Sequence, residues 1–582
     1  MVPTTVRSMP TSAEVRAQLT GPGGMFEVVT EEVLGRPTQV YASRMPSLRS
    51  VAEVGLLRGD EQTFLVYGER TFGFGEFVRA SNGVAHTLRD RCGLAKGDRV
   101  AVLAQNNPEW CLTFWATVQQ GAVLVGLNGW WTTDEIEYGL QDSGAKVLVA
   151  DRKRFERIAG SLDEATALED VFLIDCSPSD VGLADDPRLH PFSELTGSPT
   201  ADFVDQDIAE DDHAVIFYTS GTTGRPKGAI STHRSMVANL QNTMFNAVAG
   251  SMAGGGALPD AGAGENVSLF TSPLFHVSGC HSTLVVGLLA GLKLVMPEGR
   301  FTPETALQLI QEHAVTIWAT VPTMVWRVCE HPDRHAYDTS SVKSVAFGGS
   351  PSADELQRMI RDTFPNVSST SNAYGLTETS SVATVISGQD ALDKPTSVGP
   401  PVPTVSLKIV DGDGRELGVG ETGEVCITGP ILMAGYWNKP EATAEAIDAD
   451  GWLHTGDIGH LDEEGFLFIT DRKKDMIIRG GENIYSVEIE QRLVNHPEIA
   501  DAAIYGVPHP ELGEEVKATV QLEEGSSLTE ASVKQWVADG LAAFKVPTYV
   551  DLTVDKLPRN ASGKLLKNVL RGEGDVSFAE TM

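Results

Sequence analysis

A chain of 582 residues, 41% apolar and 21% charged, with a formal charge of −34, is too long for one hydrophobic core and has the composition of a soluble globular protein with at least two domains. The acidic balance excludes nucleic acid as a partner, because binding a phosphate backbone needs a basic face. It also opposes docking on anionic lipid by general electrostatics, which leaves only a local basic patch for peripheral membrane contact.

Residues 1 to about 45 are sparsely hydrophobic and read as a peripheral arm. From Thr71 the pattern turns regular. Val100–Leu103 and Ala122–Leu127 read as buried strands with a helix, Glu109–Gln119, between them. Thr132-Thr133-Asp134-Glu135 forms a capping box that opens another helix, and a strand follows at Lys146–Ala150. Strand–helix–strand alternation with continuous apolar strands predicts parallel βαβ units in a layered α/β domain.

The apolar run Ala214–Tyr218 predicts a strand that feeds Thr219-Ser220-Gly221-Thr222-Thr223-Gly224-Arg225-Pro226-Lys227-Gly228. Such a stretch packs poorly, but its glycines let backbone approach an anion closely while N–H groups and hydroxyls donate to it. It is not a Walker A loop, because Gly228 follows Lys227 where that motif needs Ser or Thr. A plain Ser/Thr/Gly surface turn is the other reading. The length of the run and its Pro-Lys-Gly end favour a phosphate cradle.

A helix is predicted over Ser235–Phe245, then a Gly/Ala-rich surface insertion over Asn246–Glu265. Strands resume at Leu292–Met296, Thr316–Val321 and Val342–Phe347. The last runs into Gly348-Gly349-Ser350, and Asn372-Ala373-Tyr374-Gly375-Leu376-Thr377-Glu378 follows. From Val405 to Thr428 the period shortens to two, with turn signals at Asp411–Gly414, which reads as an antiparallel region or small β-barrel. Five charges, Asp471-Arg472-Lys473-Lys474-Asp475, separate two composition zones and read equally as solvated surface or as a domain hinge. Beyond them a small α+β domain is predicted, with helices at Ser486–Val494 and Leu528–Ala543 and strands near Ala502–Val507 and Lys517–Gln521. This gives two domains, 1–471 and 472–582.

The six scattered cysteines contain no C-x-x-C pair, which points to reduced thiols in a cytoplasmic protein. Met1–Gly24 lacks the apolar core of a signal peptide. Leu284–Met296 is too short to span a membrane and carries two glycines and Lys293.

Four motifs in order carry a resemblance: the Thr219–Gly228 loop, Tyr374-Gly375-Leu376-Thr377-Glu378, His454-Thr455-Gly456-Asp457, and Arg559-Asn560-Ala561-Ser562-Gly563-Lys564. Over roughly residues 50–570 the chain resembles the adenylate-forming enzymes, the superfamily of acyl-CoA synthetases, peptide-synthetase adenylation domains and beetle luciferases. It is most similar to fatty-acid and related acyl-CoA ligases. The resemblance implies an acid–thiol ligase in which a small-molecule carboxylic acid attacks the α-phosphorus of ATP, giving acyl-AMP and pyrophosphate. The thiolate of coenzyme A then displaces AMP. A homodimer is common in the family, and no residue here identifies one.

By the same resemblance Thr219, Ser220, Gly221, Thr222, Thr223, Gly224 and Lys227 meet the β- and γ-phosphates, and Glu378 with Thr219 holds Mg²⁺, an ion suited to hard oxygen ligands. Tyr374 stacks on adenine, which also lies against Gly348, Gly349 and Ser350, within the nucleotide-binding run Asn372, Ala373, Gly375, Leu376 and Thr377. Asp457 and Arg472 hold the ribose. Lys564 is the cation between carboxylate and α-phosphate, offsetting charge that develops in the transition state. The small domain turns about a hinge at Asp471 between the half-reactions, exchanging Lys564 for Gly480, Gly481 and Glu482 along the pantetheine tunnel.

His276, in Pro273-Leu274-Phe275-His276, stands where amino-acid-activating relatives carry Asp. This opposes an amino acid substrate and places His276 where carboxylate and thiol meet; a satisfied core histidine is the other reading. Cys280 stands where some long-chain ligases have a gating Trp. The pocket wall around Met236–Met244, residues 275–281, Gly348 and the residues after Thr379 leaves a fatty acid and a bulky polycyclic acid both open. An acyl-AMP ligase that passes its product to a carrier protein or another acceptor is the alternative within enzymes, and a catalytically dead scaffold the alternative outside them.

Overall fold

Strands that are apolar on both faces must be covered on both faces, and this requirement shapes the larger part of the chain. The computed structural model describes residues 11–219, 225–253, 266–348, 354–479, 482–559 and 565–572. They divide into two units, Met1–Ser406 with Ile427–Leu453, and Leu407–Cys426 with His454–Met582.

The first unit holds two large sheets. One runs in the order Lys227–Thr232, His213–Thr219, Val123–Gly126, Arg99–Leu103, Val147–Asp151, Asp170–Ile174, Leu189–Pro191, parallel except for the first pairing. The other runs Ser381–Ser387, Ser369–Leu376, Ser344–Gly348, Ile317–Thr320, Val267–Leu269, Lys293–Met296, Thr63–Tyr67, Arg70–Gly73, parallel except at its two edge pairings. Helix Pro108–Val118 is buried along its whole length. Its Trp110, Phe114 and Trp115 join Leu65 and Leu294 of one sheet and Val100, Leu124 and Phe217 of the other in a single core cluster. Each such side chain contributes about 1.5–3 kcal/mol by leaving water.

Two expectations change. Residues 11–45 are structured: a helix, Ser12–Thr20, and a hairpin, Val28–Val33 with Arg36–Tyr41, bury Val15, Leu19, Phe26 and Tyr41 against Phe245. Few apolar residues are present there, but each is used, and the Tyr41 hydroxyl donates to Asn242 Oδ1 at 2.6 Å. Helix His233–Ala253 also continues eight residues into the supposed insertion, because Val248, Ala249, Met252 and Ala253 complete the face that the N-terminal segment covers. Residues 254–265 lie outside the described set.

The second unit carries the four-stranded sheet Ser406–Val410, Gly423–Thr428, Leu453–Leu461, Leu467–Arg472. A five-stranded sheet is built from Glu482–Ile484, Ile477–Arg479, Gly513–Leu522 and Ile499–His509, with Tyr549–Thr553 alongside Gly513–Leu522. Helix Ser486–Val494 lies where its sequence predicts, whereas the later helix is shorter, Glu530–Ala538, ending before Gly540. Asp471 is 3% exposed, and its carboxylate accepts from the Arg472 and Ser486 amides and the Ser486 hydroxyl. Lys567 donates to that same hydroxyl at 2.6 Å and pairs with the largely buried Glu490 at 2.8 Å. Among the described residues no helix is long and apolar enough to cross a membrane, and all six cysteines are free thiols.

Candidate active site

Strand His213–Thr219 leads directly into the phosphate-cradle motif, and strand Lys227–Thr232 returns antiparallel to it with Thr219 opposite Lys227. The Thr219 hydroxyl donates to the Lys227 carbonyl at 3.4 Å. Ser220, Gly221, Thr222, Thr223 and Gly224 lie outside the described residues, so the structure fixes the base of the loop. Its outer shoulder is pinned by helix Thr133–Ser143: Tyr138 donates to the Pro226 carbonyl at 3.0 Å and carries the Arg225 guanidinium 5.0 Å from its ring centroid. Asp142 takes the Tyr218 hydroxyl at 2.9 Å and the Lys439 ammonium at 3.0 Å. Burial, and after it the Asp142 charge, pushes the Tyr218 hydroxyl far above its ordinary range, so it stays a neutral donor.

Glu378 stands on a turn that the backbone makes tight. Strand Ser369–Leu376 ends in the 3-10 turn Thr377–Thr379, where the Thr379 hydroxyl accepts from the Leu376 amide at 2.8 Å. Ser380 and Ser381 then take φ of +49° and +115°, conformations that side-chain-bearing residues adopt at a cost of about 1–3 kcal/mol. A Cβ on Gly375 would lie 1.6 Å from the Ser381 carbonyl oxygen. The turn can therefore close only with glycine there. Gly375→Ala is expected to lower unfolding stability by about 1–3 kcal/mol, the ordinary cost of forced overpacking, as read by urea denaturation; an unchanged midpoint would contradict this close approach.

The Glu378 carbonyl accepts from the Met433 amide at 2.8 Å, and its carboxylate accepts the Tyr436 hydroxyl at 2.7 Å. The Lys227 ammonium lies 5.1 Å from the centroid of the same Tyr436 ring. Thr219, Lys227 and Glu378, scattered in sequence, thus meet through Tyr436, a residue that motif reading missed. Its signal was the aromatic in Ala434-Gly435-Tyr436-Trp437. Gly348 ends its strand 2.8 Å (to a built Cβ) from the Ala373 carbonyl, another position that only glycine fits. Asn372 and Tyr374 are buried, and Asn372 Oδ1 meets no partner among the described residues. Gly349 and Ser350 lie outside them.

His276 caps the short helix Val277–Gly279 and lies 3.0 Å from the Ser278 hydroxyl through Nδ1. Gly279 makes that turn possible, since a Cβ there would fall 2.1 Å from the Pro273 carbonyl oxygen. Five residues on, in the π-helical stretch Cys280–Val285, buried His281 bonds the Ser380 carbonyl through Nδ1 at 3.1 Å and stacks on Phe217. Burial holds its imidazole down to about 4, so it is neutral at pH 7. Ser282 meets Ser381 at 2.5 Å, and the Ser380 hydroxyl meets those of Ser231 and Ser235. Asn239 accepts from the Val382 amide at 3.2 Å. The seam between helix His233–Ala253, the 280–285 stretch and residues 380–382 is polar.

In the second unit Asp457 is 2% exposed and pairs across its hairpin with Arg472 at 2.7 Å. The two residues expected to hold the ribose hold each other. Beside them Glu424 takes the Gly456 amide, His454 and Lys473; burial raises this carboxyl, but Lys473 and His454 carry it below the ordinary carboxylate range. Gly480, Gly481 and Lys564 lie outside the described residues, and Glu482 is described only as backbone opposite Arg479. The stem of the Lys564 loop is described: Arg559 bridges Leu565, and the Leu566 amide donates to the Pro558 carbonyl at 2.8 Å.

Comparison with known proteins identifies the family. The family model "AMP-binding enzyme" matches residues 56–437, and "AMP-binding enzyme C-terminal domain" matches residues 488–564. The chain is 33% identical over 510 residues to a feruloyl-CoA synthase from an Amycolatopsis species, covering 88% of this chain and 95% of that protein. It is 32% identical over 560 residues to a long-chain-fatty-acid–CoA ligase of Escherichia coli O157:H7, covering 92% and 96%. Its structure resembles that of o-succinylbenzoate CoA synthetase from Bacillus subtilis in complex with the acyl-adenylate intermediate OSB-AMP, with a TM-score of 0.74 and 29% identity over 91% of this chain and 98% of that one.

Proposed function

The chain belongs to the AMP-binding enzyme family, and from this we propose an acid, a set of residue roles and a two-step cycle for it. The enzyme is an AMP-forming acid–thiol ligase that uses ATP to convert a carboxylic acid to its acyl-CoA through an acyl-adenylate. A carboxylate oxygen bonds the α-phosphorus as pyrophosphate leaves; the thiolate of coenzyme A then bonds the acyl carbon as AMP leaves. Such transfers are governed by positioning and charge neutralisation.

In our assignment the loop Thr219–Lys227 meets the β- and γ-phosphates. Glu378 and Thr219 hold Mg²⁺, and their donor set fits: one carboxylate and one hydroxyl, all oxygen, suit an ion that keeps several waters and binds through few protein groups plus phosphates. When bound, the ion neutralises phosphate charge. Tyr374 faces adenine beside Gly348, Gly349 and Ser350, and Asp457 and Arg472 turn from each other toward the ribose. His276 lies where carboxylate and thiol meet. Domains 1–471 and 472–582 turn about Asp471, bringing first Lys564 and then Gly480, Gly481 and Glu482 to the reacting centre.

For the acid, the observation that carries our reading is the polar seam of His281, Ser282, Ser380, Ser381 and Asn239. Buried polar groups disfavour an unbroken alkyl chain. We therefore place a bulky acid with polar substituents, aromatic acids first, ahead of a plain long-chain fatty acid. The test is pyrophosphate release against acetate, octanoate, palmitate, benzoate, a hydroxycinnamate and a steroid acid, with and without coenzyme A. We expect the aromatic acids to give the highest kcat/KM, and a thioester detected by mass only with coenzyme A. Preference for palmitate would overturn the acid assignment, and acyl-AMP persisting beside coenzyme A would move the acceptor to a carrier protein.

A further inference from the structure

Resting on the assignment of Thr219–Lys227 to phosphate and of Glu378 to the cation, we propose that Tyr436 is a positioning residue that keeps the Glu378 carboxylate and the Lys227 ammonium apart and ready for the metal–nucleotide complex. Three observations carry it.

First, Tyr436 cannot drift from the loop it serves. Residues 434–437 add to the outer edge of strand Lys227–Thr232: the Ala434 amide donates to the Ile230 carbonyl at 2.9 Å, the Ile230 amide to Gly435 at 3.0 Å, and the Trp437 amide to Gly228 at 2.7 Å. Ala229 and Tyr436 face each other as an antiparallel bridge. From the other side the Tyr436 amide donates to Thr443 Oγ1 at 2.8 Å, and Trp437 Nε1 donates to the Asp142 carbonyl at 3.0 Å. Second, its side chain engages both charged groups differently. The hydroxyl donates to Glu378 Oε1, one of the two carboxylate oxygens, and the ring face takes the Lys227 ammonium. Third, Lys227 and Glu378 make no ion pair with each other in the structure. Opposite charges this near one ring would collapse into a direct pair if nothing held them, and phosphate and cation would then have to break that pair to enter.

Tyr436 is suited to the task. A carboxylate fixed through one oxygen presents the other in one orientation, the service that outer hydrogen-bond partners give to metal ligands.

The test uses full-length protein with Mn²⁺ as the probe ion and α,β-methylene-ATP as the nucleotide. Mn²⁺ affinity is read by electron paramagnetic resonance, and nucleotide affinity in EDTA by calorimetry. Tyr436→Phe keeps the ring and loses the hydroxyl; it is expected to weaken Mn²⁺ binding about tenfold, in the range found for partners of metal ligands. Its metal-free nucleotide affinity and its KM for the acid should stay within twofold, which also certifies the fold. Glu378→Gln should weaken Mn²⁺ at least as much, and the double variant no more than Glu378→Gln alone, because the tyrosine acts through that carboxylate. Tyr436→Leu, which also removes the ring, should in addition weaken metal-free nucleotide binding. Mn²⁺ affinity unchanged in Tyr436→Phe but lost in Glu378→Gln, or additive losses in the double variant, would overturn the role of Tyr436 and leave the metal assignment standing. Unchanged affinity in Glu378→Gln would overturn that assignment, and this inference with it.

Discussion

Lys564→Ala is expected to cut acid-dependent pyrophosphate release by about 10²–10³-fold, the usual cost of removing one preorganised charge-stabilising group. Conversion of supplied acyl-AMP and coenzyme A to thioester should stay within a few-fold of the parent. A carboxylate approaching a triphosphate on a chain of net charge −34 meets repulsion from both, and a cation between carboxylate and α-phosphorus acts mainly where negative charge accumulates. Measuring the half-reactions separately decides the matter: equal loss in both would mean that Lys564 serves binding or folding.

Lys567→Met is expected to cost the second unit about 3–5 kcal/mol at neutral pH, the penalty for leaving a buried carboxylate without its cation. Lys567 pairs with Glu490, which also accepts the Ile504 amide at 2.8 Å, and it donates to the Ser486 hydroxyl that faces Asp471. Burial raises both carboxyls above their ordinary values, and the Lys567 ammonium opposes it in each. A carboxyl with a raised folded pKa binds more protons folded than unfolded, so its contribution falls as pH rises through the window that opens, for Glu490, at 4.5. Without the ammonium that pKa rises further, so the deficit of Lys567→Met should be largest at neutral pH and shrink as Glu490 takes up a proton on acidification. Chemical denaturation from pH 7 toward pH 5 checks this; a deficit independent of pH would mean that the loss is one of packing. The same network makes Asp471→Pro a poor test of the proposed turn about Asp471, since it removes a buried carboxylate along with a backbone freedom.

The strands named in the sequence were legible because buried parallel strands are continuous apolar runs, and their ends agree to within a few residues; others, such as Asp170–Ile174 and Val267–Leu269, passed unnamed. The N-terminal segment was not, because its few core residues are diluted by polar ones and gain meaning only against Phe245. The segments that carry Thr219, Lys227, Glu378 and Asp457 stood out because each strings together several residues that pack poorly. Tyr436, His281 and Lys567 did not, because each matters through a partner distant in sequence: Glu378 lies 58 positions from Tyr436, and Ser380 lies 99 from His281. The pairing of Asp457 with Arg472 was within reach, since the two are cross-strand neighbours in one hairpin, but opposite charges assigned to one ligand are easily read as independent.

The backbone of Ser380 and Ser381 sets two kinds of selection against each other. Glycine at either position would relieve the left-handed conformation, and a screen for heat tolerance alone would favour it. Yet these residues clamp the turn that carries Glu378, and their hydroxyls tie it to Ser231, Ser235 and Ser282. A lineage evolving toward higher temperature would therefore have to gain its stability elsewhere in the chain, or give up the hydroxyl ties that hold this turn.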